Sequence, residues 1–244
     1  MSLKTLEKSL CLIPCFNEAA NLPGLLGDLQ HPELIGRCDL LFLDDASTDA
    51  TPEILRNSGH ATLRQKTNAG YGAAVKAGLR HARERGYARM VVFPGDRQRS
   101  VADLLLMLNE MESGTWDLVV GSKLRNHQSI PWPRALGNRF FSALSAAIWR
   151  APFTDVLSGF KVYRVASVFP LLELLPDRYE FDLVLSAYCG RLGLAVREVP
   201  VSVHYHAHST KMKSTMWIGM RMLGAAVRHL FLRGGKPVAW PVEE

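Results

Sequence analysis

The sequence is poor in cysteine and lacks the cysteine spacing of a zinc site. Its four cysteines, Cys11, Cys15, Cys38 and Cys189, contain no Cys-x-x-Cys pair. The N-terminal residues also lack the long apolar core of a signal peptide. We therefore expect a reduced, cytoplasmic protein and not a disulfide-rich secreted one.

The chain has no Gly/Pro/Ser-rich linker, low-complexity tract or internal repeat. Its 244 residues are 48% hydrophobic and 21% charged. A chain of this length and composition can bury one large core, and such a size is ordinary for a single α/β domain. We expect one main domain of the α/β class.

The positive charge is not concentrated in a nucleic-acid-binding pattern. The formal net charge is +6, but no helix carries a dense basic stripe and no aromatic-basic RNA motif is present. Attraction to an anionic phospholipid, or to a phosphorylated lipid, explains the excess equally well. We expect a membrane surface and not a nucleic acid as the partner.

Three apolar runs end abruptly in acidic residues. Residues 40–43 lead into Asp44 and Asp45, residues 10–13 lead to Glu18, and residues 90–93 lead to Asp96. Such runs are typical of buried parallel strands, and ligands of open α/β sheets bind in the crevice beyond the carboxyl ends of the strands. A fourth run, residues 116–120, is followed by the basic Lys123. Acids at three strand ends and a lysine at a fourth, around one crevice, predict a site for a phosphate-bearing ligand with a divalent cation.

A simpler interpretation applies to the acidic cluster after residue 43. Thr51 precedes Pro52, and this pair suits a helix that begins there with threonine as its N-cap. The cluster could then be a strand end followed by a capped helix. The same pattern, an apolar run that ends in an acidic residue, occurs twice more, and this repetition favours a ligand site over a helix cap alone.

At these residues the chain resembles the family-2 glycosyltransferases of the GT-A fold, in particular the polyprenol-phosphate (dolichol-phosphate) mannosyl- and glucosyltransferases. The resemblance extends from about residue 10 to about residue 215. The motifs that carry it are Pro14–Glu18, Asp44–Asp49, Asn68–Ala74, Gly121–Lys123, Ser158–Arg164 and Glu198–Val201. The resemblance implies a GT-A domain over residues 1–213, with a mainly parallel sheet flanked by helices. An amphipathic helix and tail over residues 214–244 would contact a membrane surface or form a homodimer.

The resemblance also implies a reaction. A hexose would pass with inversion from a UDP- or GDP-linked nucleotide sugar to a polyprenyl phosphate at the cytosolic face of a membrane. The alternatives are a soluble glycan or small-molecule acceptor, and a nucleotide-sugar-binding protein without turnover. Because a lipid phosphate is already ionised near neutral pH, positioning and charge neutralisation would do most of the catalysis.

Residue by residue, the resemblance assigns catalytic roles to Asp96, Lys161, Arg164 and Asp182. Asp182 has a second interpretation, as a helix N-terminal charge. The donor-binding residues carried over are Pro14, Phe16, Asn17, Glu18, Asp44, Asp45, Lys66, Gly95, Lys123, Arg134, His206 and Lys211. For the glycines at 70 and 72, a purely structural role and a ligand contact are both open.

The resemblance assigns a divalent metal, Mg²⁺ or Mn²⁺, to Asp96 and Gln98. The family's Asp-x-Asp motif is altered here, because Pro94 stands in the place of the first aspartate. The protein part of the metal site is therefore weaker, and the diphosphate and water must supply more of its ligands.

Two segments near the C-terminus carry open alternatives. His204, His206 and His208 alternate, so on a strand they would share one face and could hold a metal. There are two other interpretations. In one, His206 and Lys211 contact the diphosphate of the donor; in the other, the histidines lie on the surface without a function. Residues 216–232 predict an interfacial amphipathic helix or a core or dimer helix, and residues 140–149 form a second candidate for membrane contact.

Overall fold

A computed structural model describes residues 8–124, 132–151, 153–204 and 220–224, without the side chains of residues 132–134. The first part alternates strands and helices. Its elements are β1 (Ser9–Cys15), α1 (Leu22–Asp28), α2 (Pro32–Arg37), β2 (Cys38–Asp44), α3 (Thr51–Asn57), β3 (Ala61–Arg64), α4 (Tyr71–Glu84), β4 (Arg89–Val92), α5 (Val101–Ser113) and β5 (Leu118–Ser122).

The second part contains α6 (Trp132–Trp149), β6 (Lys161–Arg164), α7 (Val165–Val168), a 3-10 helix (Phe169–Leu174), α8 (Phe181–Leu192) and β7 (Val196–Pro200). Residues 220–224 are also helical. Within the described ranges, none of the helices combines the length and apolar character needed to cross a bilayer.

The described strands form one sheet in the order β3-β2-β1-β4-β6-β5-β7. β6 runs antiparallel to its neighbours β4 and β5, while the other pairs are parallel. The prediction of a mainly parallel sheet is confirmed. The carboxyl ends of β1, β2, β4 and β5 therefore share one edge, which we call the carboxyl edge.

Both faces of the sheet are covered, which explains the uninterrupted apolar runs. One hydrophobic cluster joins alternate strand residues to α4, α6 and α8, and another joins the intervening strand residues to α1, α3 and α5. Leu12 and Ile13, adjacent in β1, are both fully buried and belong to opposite clusters. All four cysteines are buried and free.

Candidate active site

A cavity of about 230 Å³ opens at the carboxyl edge and brings together the acids that follow three strands. Glu18, Asp45 and Asp96 all line it, although they are far apart in sequence. Three further residues expected to bind the donor also line it: Pro14, Phe16 and Gly95. Phe16 is 43% exposed, so its ring is accessible to a ligand.

The loops after β1 and β2 form one hydrogen-bonded unit. The Asn17 amide donates to Ser47 Oγ at 2.9 Å, and Asn17 Oδ1 accepts from the Thr48 amide at 2.8 Å. The Glu18 amide donates to Thr51 Oγ1 at 2.8 Å. Asn17 adopts the left-handed conformation with φ of 56°, which asparagine tolerates better than most residues. These contacts fix the backbone from which Glu18 reaches the cavity.

The expectation that Thr51 caps α3 is wrong by one residue. Thr51 is the first residue of the helix, and Ala50 occupies the cap position without a side-chain bond. Asp49 Oδ1 instead accepts from the Thr51 amide at 2.9 Å, which leaves the Thr51 hydroxyl to accept from Glu18. The acidic cluster therefore has both a structural and a site role: some of its members order the turn before α3, while Asp45 lines the cavity.

Asp44 and Asp45 have different surroundings. Asp44 is buried, accepts from the Ser47 amide at 2.9 Å and lies 3.0 Å from the Arg64 guanidinium, so it stabilises the turn. The Asp45 carboxylate accepts from the amides of Ala69 and Gly70 at 2.8 and 2.9 Å. Burial raises the pKa of Asp45, and these two amides oppose the rise.

Asp96 sits on a tight turn that holds it near the loop after β1. Its Oδ1 accepts from the Gln98 amide at 3.1 Å, which brings residues 96 and 98 close together. A Cβ on Gly95 would lie 2.9 Å from the Pro14 carbonyl oxygen, so glycine permits this close approach of the two strand ends. Gln98 itself is not among the cavity-lining residues.

Lys161 and Asp182 lie in the interior and outside the cavity lining. The Lys161 ammonium is 2.6 Å from the Asp182 carboxylate, and it also donates to the Ser158 carbonyl. Burial raises the pKa of Asp182, and the positive charges of Lys161 and Lys123 oppose that rise. Lys161 is buried and outside the cavity lining, so this pair is suited to positioning and not to direct phosphate contact in the cavity.

The other predicted residues whose side chains the structure describes are not brought to the cavity lining. Arg164 pairs with Arg89 at the start of β4, which is the opposite edge of the sheet, and its Nε donates to the Trp116 carbonyl at 2.9 Å. Lys66 is exposed. The Lys123 amide donates to the buried Asp155 carboxylate at 2.9 Å. The Arg134 side chain, His206 and Lys211 lie outside the described residues.

The glycine-rich segment before α4 has a structural role that the sequence left open. A Cβ on Gly72 would lie 2.3 Å from the Pro176 carbonyl oxygen, and one on Gly70 would lie 3.0 Å from the Asp177 carbonyl oxygen. The Ala73 amide donates to that Asp177 oxygen at 2.8 Å. The absence of side chains at positions 70 and 72 therefore lets residues 176–178 dock on the start of α4.

This docking places two residues at the cavity that sequence reasoning missed, Arg178 and Tyr179. Both lie in a loop without hydrophobic periodicity, so no pattern in the sequence marks them. Tyr179 is 48% exposed and, like Phe16, offers an aromatic ring to the cavity.

The donor set at the cavity suits a metal that shares its ligands with a phosphate. No group of three or more His, Cys, Asp or Glu side chains in the described ranges could hold a metal by itself. Asp96 and Gln98 offer one carboxylate and one amide oxygen. Mg²⁺ is commonly held by only one or two carboxylates together with substrate phosphates and water, so the Asp96 carboxylate fits such an ion, while Gln98, on the same turn but outside the cavity lining, stays a predicted ligand.

Solved structures with the same architecture define the class of fold. Glucosyl-3-phosphoglycerate synthase from Mycobacterium tuberculosis, in complex with phosphoglyceric acid, matches with a TM-score of 0.70 at 19% identity, over 92% of this chain and 80% of that one. The same enzyme in complex with Mn²⁺, UDP and glucosyl-3-phosphoglycerate matches with a TM-score of 0.66. The fold is that of the GT-A glycosyltransferases.

Residues 11–169 match the family described as Glycosyl transferase family 2, and the chain belongs to that family. Polyprenol monophosphomannose synthase of Mycolicibacterium smegmatis is 26% identical over 82% of this chain and 79% of its own length. Undecaprenyl-phosphate mannosyltransferase of Micrococcus luteus is 29% identical over 79% of this chain and 82% of its own length. The protein is therefore a glycosyltransferase.

Proposed function

We propose that this glycosyltransferase moves a hexose from a UDP- or GDP-linked sugar to a polyprenyl phosphate, with inversion at the anomeric carbon. The observation that carries the proposal is the convergence of Glu18, Asp45 and Asp96 on one cavity at the carboxyl edge. The names of the two relatives, which specify polyprenol and undecaprenyl phosphate, support the choice of acceptor.

The cavity offers different chemistry to different parts of a nucleotide sugar. Phe16 and Tyr179 present rings on which a base can stack, and the Asp45 carboxylate can accept hydrogen bonds from a base or ribose. Asp96 lies at the end of β4 with Gln98 beside it. In this proposal the nucleoside lies near Asp45 and the diphosphate near Asp96.

Asp96 and Gln98 would hold Mg²⁺ or Mn²⁺ together with the diphosphate oxygens. When bound, such an ion would offset the charge on the departing nucleoside diphosphate. The protein's own contribution is to orient both substrates. The acceptor phosphate supplies an oxygen that is already ionised, so no side chain has to remove a proton from it.

The acceptor implies a location, and the surface of α6 supports it. The exposed face of α6 includes Leu136, Phe140, Ala143 and Ala147, at the spacing of one helical stripe. Arg139 is exposed on the same helix, and Arg150 is exposed directly after its end. An apolar stripe next to arginines suits contact with anionic lipid, so we place the protein on the cytosolic face of a membrane as a peripheral protein.

Transfer assays with the Asp96→Asn variant test the reaction. We expect purified wild-type protein to move a hexose from one member of a panel of UDP and GDP sugars to a polyprenyl phosphate in the presence of Mn²⁺. Asp96→Asn should lower kcat/KM by about a hundredfold or more, because it removes the carboxylate nearest the proposed diphosphate.

The matched control is Glu84→Gln, which neutralises an exposed carboxylate at the end of α4. It should keep wild-type activity, and both variants should keep the wild-type melting temperature. Equal activity of Asp96→Asn and wild type would remove Asp96 from the mechanism. A wild-type protein that binds nucleotide sugars without any transfer would support the binding-only alternative.

A further inference from the structure

Arg178 is the one positively charged residue among the described residues that line the cavity. It faces a cavity that also contains Glu18, Asp45 and Asp96. Its positive charge lowers the pKa of Asp45, in opposition to burial, so the guanidinium lies within electrostatic range of that carboxylate. The cavity is therefore not uniformly acidic, and one side of it can attract an anion.

The backbone at Arg178 is held firmly although its side chain is exposed. The preceding residue, Asp177, accepts from the Ala73 amide at 2.8 Å and from the Lys76 ammonium at 2.7 Å. Lys76 also donates to the Leu175 carbonyl at 2.9 Å. With the close approach at Gly70 and Gly72, these bonds fix the loop so that residue 178 stays at the cavity.

Among the described residues, the guanidinium of Arg178 has no partner that a ligand would have to displace. Within the described part of the chain, no hydrogen bond or ion pair engages it, and its charge is one of those that act on the pKa of Asp45. The two arginines near Asp96 differ in this respect. Arg97 is ion-paired with Asp28 at 2.9 Å, and Arg99 donates to the Ser202 carbonyl at 2.9 Å.

The charge balance of the cavity suits a phosphate group within reach of Arg178. Pro94 lines the cavity at a position where an aspartate would add a negative charge, and Arg178 adds a positive one. A guanidinium presents a planar fork of donors that matches two phosphate oxygens. We propose that Arg178 binds a phosphate group of a ligand in this cavity. The proposal rests on the proposed function and names a further residue that would serve it.

Two ligands could supply that phosphate, the donor diphosphate or the monophosphate of the lipid acceptor. Calorimetric titration of uridine, UDP, guanosine and GDP into wild type and Arg178→Gln tests the first source. If Arg178 binds the donor, Arg178→Gln should weaken the nucleoside diphosphate about tenfold to a hundredfold, as expected for a lost charge-assisted hydrogen bond. The affinity for the nucleoside alone should not change.

Steady-state kinetics with a short-chain prenyl phosphate test the second source. If Arg178 binds the acceptor, Arg178→Gln should raise the KM for the prenyl phosphate about tenfold and leave the affinity for nucleoside diphosphate as in wild type. The matched control is Arg191→Gln, an exposed arginine in the last turn of α8 and outside the cavity lining. It should change neither quantity.

The outcomes separate this proposal from the proposed function. A wild type that binds nucleoside diphosphate and transfers sugar, with Arg178→Gln within twofold of Arg191→Gln in both assays, would overturn the role of Arg178 alone. A wild type that binds no nucleoside diphosphate and transfers no sugar would overturn both. An equal loss of nucleoside and nucleoside diphosphate affinity would also count against phosphate contact, since it would indicate a displaced loop.

Discussion

Lys161 and Asp182 show how a charged pair can support a site without lining it. Both side chains are almost fully buried, and Lys161 bridges the start of β6 to the first turn of α8. Tyr179 and Arg178 stand just before that turn. A buried pair of this kind is costly to break, because removal of one partner leaves the other charge uncompensated in the interior.

We predict that Asp182→Asn lowers the free energy of unfolding by about 3–5 kcal/mol. The physical reason is the ammonium of Lys161, which would remain 1% exposed without its counter-charge. Urea denaturation of the variant measures the loss. The double variant Asp182→Asn, Lys161→Met should recover a large part of it, because the buried charge is then gone. A loss below about 1 kcal/mol for the single variant would show that the pair contributes little.

At the level of single residues, the sequence predicted which acids share one cavity, because each of them follows a buried run. Glu18, Asp45 and Asp96 come after β1, β2 and β4, and parallel strands bring their ends together. It could not place Lys161, because the partner that holds it, Asp182, is distant in sequence. Nor could it find Arg178, whose position depends on a tertiary contact with α4.

Among the elements, the start of α4 and the loop at residues 175–178 pack directly against each other. Gly72 has an ordinary negative φ, so its importance lies in the space that its missing Cβ leaves for the Pro176 carbonyl. The loop in turn carries Arg178 and Tyr179 to the cavity.

We predict that Gly72→Ala lowers stability by about 1–3 kcal/mol, the usual cost of overpacking. It should also weaken nucleotide binding, because the loop must move away from α4. Thermal unfolding and calorimetric titration measure the two effects. Gly36→Ala is the matched control, since a Cβ there meets nothing within 4 Å and alanine favours the helix. If both variants behaved alike, the close approach at Gly72 would not matter.

The strand β6 separates the two basic residues of the motif at residues 158–164, so that they lie at opposite edges of the sheet. Residues 158–164 look continuous in sequence, but four of them form a strand that runs antiparallel to β4. Lys161 therefore lies at the carboxyl edge, while Arg164 lies at the opposite edge beside Arg89. No pattern in the sequence indicates this reversal, because the central position of β6 between β4 and β5 depends on pairing with distant strands.

For the molecule as a whole, the described C-terminal residues pack on the domain. Met222 is buried in the core cluster that contains α6 and α8, and Arg221 lies 2.6 Å from Glu180 at the start of α8. Met220 and Leu223 on the same short stretch are exposed. Residues 225–244 and the rest of the predicted amphipathic helix lie outside the described residues, so the interfacial role of that segment stays a prediction.

We predict that the double variant Leu136→Ser, Phe140→Ser reduces binding to vesicles that contain anionic phospholipid by about tenfold. These side chains are 60% and 55% exposed, and together they would bury apolar area in the lipid. Vesicle co-sedimentation measures the effect. Leu174→Ser removes an equally exposed leucine from another surface and should bind like wild type. Full vesicle binding by the double variant would locate membrane contact elsewhere.

A crystal structure of the protein with UDP or GDP and Mn²⁺ tests the central claim most directly. We expect the nucleoside diphosphate to occupy the cavity at the carboxyl edge, with its nucleoside beside Asp45 and its phosphates beside Asp96. A nucleotide bound at any other surface, with this cavity free of it, would contradict the account.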